Sequence, residues 1–183
     1  MIASVIITNL SEAKHKPYKE NLQQNVWITT TDPEDETTVK KLKQRFSAAK
    51  VKHFSQFFRD YSDEDTETYI QSRLELEGPQ ERHINNIISF LEPLVTSATP
   101  YHLGVNCYAG ISRSTAVGII AWVLQGKSPE EALQSILEVR PEAWPNLRML
   151  RLASARLGKN IMTAIADWKA QETKKGLFVP YEL

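Results

Sequence analysis

A chain of 183 residues suits one domain with a core of ordinary size, expected to run over residues 1–183. Its 22 basic and 22 acidic residues cancel, so no overall field recommends nucleic acid or an anionic membrane as a partner, and a single cysteine excludes an internal disulfide framework. That cysteine usage suits a reducing compartment, Met1-Ile2-Ala3-Ser4 lacks the build of a secretion signal, and the longest apolar run, Ala116–Leu124, is too short to span a bilayer. A cytoplasmic protein is expected.

Ile2–Thr8 is apolar and β-branched, the pattern of a buried strand, and the polar Asn9–Gln24 carries the chain around an edge. Val26–Thr30 forms the next strand, Asp32-Pro33 marks a turn, and Val39, Leu42 and Phe46 recur at helical spacing within Glu36–Ala49. Lys40, Lys41 and Lys43 on that helix read as a solvated face and carry no function. Val51–Phe58 is a third strand, followed by the acidic segment Arg59–Asp65. After Gly78-Pro79, Ile84, Ile87, Ile88, Leu91 and Leu94 mark a helix, and Tyr101–Asn106 is the central strand. Ser112–Gln125 is apolar on all sides, as a helix buried against a sheet must be. Ser128-Pro129 opens another helix that runs to about Val139. Leu147–Leu157 and Ile161–Lys169 follow as helices, with Leu177–Leu183 as an extended tail. Strands alternating with helices predict an α/β fold, a mostly parallel sheet of four or five strands flanked by helices.

The chemistry concentrates in Leu103–Thr115, LGVNCYAGISRST. Five residues separate Cys107 from Arg113, and the loop between them, Tyr108, Ala109, Gly110, Ile111 and Ser112, joins a strand to a helix. Such a loop curls into a cup whose backbone N–H groups, with the helix N-terminus, bind an anion. Arg113 is a fork of donors able to hold two phosphate oxygens. Cys107 would form the floor. A free thiol titrates at about 8.5, but these donors favour the anion, so a thiolate nucleophile is expected near neutral pH. Ser114 can donate to the sulfur and make it a better leaving group when water attacks, while Gly110 allows backbone geometry or close packing that a side chain would obstruct.

These residues resemble the cysteine-dependent protein phosphatases with the signature C-x5-R-S/T, and CYAGISRSTA is similar to the dual-specificity branch. The chain also resembles small bacterial tyrosine-phosphatase-like proteins, which share a later stretch seen here as Arg140-Pro141-Glu142-Ala143-Trp144-Pro145-Asn146. The resemblance implies a phosphatase acting through a phosphocysteine. It makes Asn146 a brace of the loop, which is compatible with a plain helix cap. A general acid must protonate the leaving oxygen, and Asp60, Asp63 and Asp65 compete for that role against the plainer reading of surface carboxylates or a cap of a helix over Thr66–Leu76. The relatives' apolar-x-x-x-Asp pattern ranks Asp60 first. The family usually has His before the Cys, where this chain has Asn106, an amide that can brace the loop but cannot carry charge.

Two readings follow. One is a hydrolase of phosphotyrosine, extending to phosphoserine or phosphothreonine, whose substrate is a phosphorylated protein or a small phosphomonoester. The other is a phosphate-binding module that has lost efficient chemistry. Arsenate reduction calls for further thiols, and the superfamily's phosphoinositide enzymes tend to carry lysines in the loop; this chain has neither. His15, His53, His83 and His102 form no cluster at metal spacing, so neither metal nor cofactor is expected, and nothing calls for more than a monomer.

Overall fold

A computed structural model describes residues 1–15, 25–62 and 77–174. Four parallel strands, β1 (Ile2–Asn9), β2 (Asn25–Thr31), β3 (Lys52–Phe57) and β4 (Tyr101–Cys107), form one sheet in the order β1-β4-β2-β3. The last strand in sequence therefore lies between the first two. Its register sets Thr8 and Thr29 on either side of Asn106, and Asn9 beside Cys107. Seven helices flank the sheet among the described residues: α1 (Leu10–Ala13), α2 (Glu36–Ala48), α3 (Glu81–Val95), α4 (Arg113–Leu124), α5 (Pro129–Val139), α6 (Leu147–Leu157) and α7 (Ile161–Lys174). None is long and apolar enough to cross a membrane.

Side chains alternate across a strand, and here the alternation divides two cores. Val26, Ile28, Leu103 and Val105 face the larger one, which holds α3 to α7 and in which α4 is buried from Arg113 to Val123. A helix so enclosed has no polar face to keep, which is why its sequence past Thr115 is apolar throughout. Trp27 faces the other way, into a smaller cluster with Leu10, Leu42, Phe46 and Val51. Its indole lies against Gly104, where any added Cβ would fall 2.2 Å from the ring. Lys40, Lys41 and Lys43 lie exposed on α2.

Several boundaries differ from the sequence reading. Where an irregular edge was expected after β1, Asn9 caps the short α1, its Oδ1 accepting from Glu12 N–H at 2.7 Å. α3 begins at Glu81 because Gln80 before it is still extended. α7 continues to Lys174. The helix expected over Thr66–Leu76, the tail Leu177–Leu183, and Asp63 and Asp65 all lie outside the described residues.

Candidate active site

The carboxyl ends of all four strands meet at one place, the ligand-binding end of an open α/β sheet. β4 ends on Cys107, which is fully buried. Its Sγ accepts from Gly110 N–H at 3.1 Å and lies 3.2 Å from Ser114 Oγ. The loop that turns back over the sulfur depends on Gly110 twice. Its φ of +76° is in the left-handed region, and a Cβ there would stand 2.7 Å from Asn9 N and Thr8 C. Leu10 N–H donates to Tyr108 O at 3.1 Å, fastening the loop to α1, and the Tyr108 side chain stands 63% exposed.

Arg113, in the first turn of α4, is 2% exposed. Its Nη1 donates to Asp32 Oδ1 at 3.1 Å and to Phe58 O at 2.6 Å, and its Nη2 reaches Asp32 Oδ2 at 3.4 Å. Nε is buried without a hydrogen-bond partner; Asp60 Oδ2 lies 3.5 Å away, in ion-pair range only. Burial opposes the charge, but Asp60, Cys107 and Asp32 more than offset it, and the pKa is raised above the ordinary arginine value. The guanidinium is thus held as a cation by groups from the ends of β2 and β3. Asp32 was read in the sequence only as part of a turn; its position just past β2 is the one signal that marked it.

Asp60 lies at the mouth of the loop. Ser112 Oγ donates to its Oδ1 at 2.7 Å, and Asn146 Nδ2 donates to the same oxygen at 2.8 Å. The structure therefore brings together Asp60, Ser112, Arg113 and Asn146, with Cys107 and Ser114 beneath. Asn146 also caps α6, accepting from Met149 N–H at 3.0 Å. The segment before it straps the loop from outside. Trp144 N–H donates to Ile111 O at 2.9 Å, Asn146 N–H to Ser112 O at 3.3 Å, and Arg140 Nη2 to Ala109 O at 3.3 Å. Arg140 also pairs with Glu12 of α1 at 3.4 Å and with Glu142 at 2.9 Å. In the sequence it stood out only as the first residue of a shared stretch.

Asn106, fully buried, is held on the face of the sheet opposite Cys107. Its Oδ1 accepts from Trp27 Nε1 at 2.7 Å and Thr29 Oγ1 at 2.9 Å. Because Thr29 spends its one proton on Asn106, His53 Nε2, 2.9 Å away, must be the donor to Thr29 Oγ1. His53 Nδ1 is then an acceptor, buried without a partner. Burial first, and Lys43 second, lower the His53 pKa from 6.5 to about 4, so the ring is neutral. Among the described residues no group of three or more His, Cys, Asp or Glu side chains is placed to hold a metal ion.

The sequence matches no protein-family model and no curated protein. Solved structures do resemble it. Human DUSP28 superposes with a TM-score of 0.51 at 15% identity, over 91% of this chain and 94% of that one. Tk-PTP in its active form gives a TM-score of 0.52 at 16% identity, over 84% and 90% respectively. At such identity the likeness is one of fold, and the fold of this chain is the α/β fold of the dual-specificity and protein tyrosine phosphatases.

Proposed function

We propose that this chain, built on the phosphatase fold, hydrolyses phosphomonoesters, phosphotyrosine foremost with phosphoserine and phosphothreonine as further candidates, through a phosphocysteine intermediate. One observation carries the reading: a buried sulfur that accepts from Gly110 N–H and lies beside Ser114 Oγ shares its loop with a buried arginine whose Nε has no hydrogen-bond partner. In the first step Cys107 Sγ attacks phosphorus, the bond to the leaving oxygen breaks, and Asp60 gives that oxygen a proton. Charge spread over the equatorial phosphate oxygens falls to Arg113 and the amides of residues 108–112. In the second step water, deprotonated by Asp60, attacks phosphorus, and sulfur leaves with a hydrogen bond from Ser114. A phosphorylated protein or a small phosphomonoester is the substrate.

The test is hydrolysis of an aryl phosphate, with reductant and chelator present, by the wild type and by Cys107→Ser. Turnover that vanishes in Cys107→Ser, by a factor of at least about 10³, supports the hydrolase. Turnover that survives the substitution rejects it. Asn106 supplies a second reading, since its amide brings no positive charge to the loop. No turnover by the wild type, with vanadate still bound and lost in Arg113→Ala, would make the protein a phosphate-binding module.

A further inference from the structure

Asn146 does more than cap a helix. It is 1% exposed, and every hydrogen-bonding position of its amide but one acceptor lone pair is engaged. Oδ1 accepts from Met149 N–H at 3.0 Å, and Nδ2 donates both its hydrogens, to Asp60 Oδ1 and to Tyr61 O, each at 2.8 Å. The orientation is fixed chemically: Met149 N–H can only donate and Tyr61 O can only accept, so a flipped amide would fail at both. Asn146 N–H also donates to Ser112 O at 3.3 Å. One residue thus joins the start of α6, the phosphate loop and the segment that follows β3.

The consequence falls on Asp60. Its Oδ1 accepts two hydrogen bonds, from Asn146 Nδ2 and Ser112 Oγ, which use both lone pairs. Such an oxygen has no room for a proton, whereas Oδ2 accepts no hydrogen bond from the described residues and lies 3.5 Å from Arg113 Nε, on the side where phosphate would be held. Resting on the reading of Asp60 as general acid, we propose that Asn146 is the positioning residue of that acid. It locks the carboxyl so that the transferable proton is carried on Oδ2, facing the leaving oxygen. Aspartate at position 146 could not do this, because it has no donor and would set a second carboxylate against Asp60. Serine could cap α6 but could not reach both Asp60 and Tyr61.

A general acid matters most when the leaving phenol is weakly acidic. The experiment measures kcat/KM over a series of aryl phosphates, from strongly acidic phenols to phenol itself, for the wild type, Asp60→Asn and Asn146→Ser. The serine variant keeps a helix cap while removing both amide donors, and thermal unfolding checks that it is folded. Asn146→Ser is expected to lose on the order of tenfold more with phenyl phosphate than with the ester of the most acidic phenol, following the trend of Asp60→Asn. A loss uniform across the series would overturn the proposal and leave Asn146 a structural cap. An Asp60→Asn variant with no leaving-group dependence would instead overturn the reading of Asp60, and the proposal with it.

Discussion

Gly110 concentrates two constraints in one residue, a positive φ and a backbone pressed against the end of β1. Alanine there meets the left-handed penalty of about 1–2 kcal/mol and an overlap costing about 1–3 kcal/mol more. Gly110→Ala is therefore expected to lower the free energy of unfolding by roughly 3 kcal/mol, read from denaturant titration, and to lower phosphate affinity because the loop must shift away from Asn9. At this scale the sequence was most informative where the chemistry is local. Cys107, Gly110, Arg113 and Ser114 lie within eight residues, so their spacing alone carries the geometry of the cup. Asp32 was hard to read for the opposite reason: it meets Arg113 across 81 residues, and only its place just past β2 hints at a partner so far away.

Among the elements, the strap from Arg140 to Asn146 holds the loop from outside. Two of its contacts to the loop are backbone hydrogen bonds, insensitive to side chains, while Arg140 adds a side-chain link from Ala109 O to Glu12. Arg140 is mostly buried, but its partners Glu12 and Glu142 are open to solvent and those pairs are screened, so its role is to hold the loop in shape more than to stabilise the fold. Arg140→Ala is expected to lower kcat/KM for an aryl phosphate by about three- to tenfold and to speed amide exchange at residues 109–111, with unfolding free energy lowered by no more than about 1 kcal/mol. The longer helices were readable, because α4 is apolar past its first turn and α5 opens on a capping Ser and a first-position Pro, whereas the short α1 was not. Their convergence was not, since the strand order that places β4 between β1 and β2 leaves no local mark on the sequence.

At the scale of the molecule, two histidines lowered in pKa by burial make stability fall in acid. The folded pKa of His53, about 4, lies below its unfolded value of 6.5, so the unfolded chain takes up the proton first as pH falls. Above pH 6.5 the residue contributes nothing; between 6.5 and about 4 stability declines, and below that the loss is constant. His83, lowered by burial and then by Arg82, acts with the same sign. Urea titrations are expected to show a loss of at most about 2 kcal/mol from His53 on going from about pH 7.5 to about pH 5, and His53→Gln is expected to flatten that slope.

The chain of contacts from Gly104 through Trp27 to Asn106 constrains how this protein can change. Gly104 leaves room for the indole, and the indole with Thr29 presents two donors to one amide oxygen. An imidazole in place of that amide has a single acceptor when neutral and none when charged, so at least one buried donor would be stranded. Exchanging Asn106 for histidine is thus not a single step but a concerted one, in which positions 27 and 29 must change as well. The residue before Cys107 is kept in place by the donors and packing of its neighbours as much as by its own chemistry.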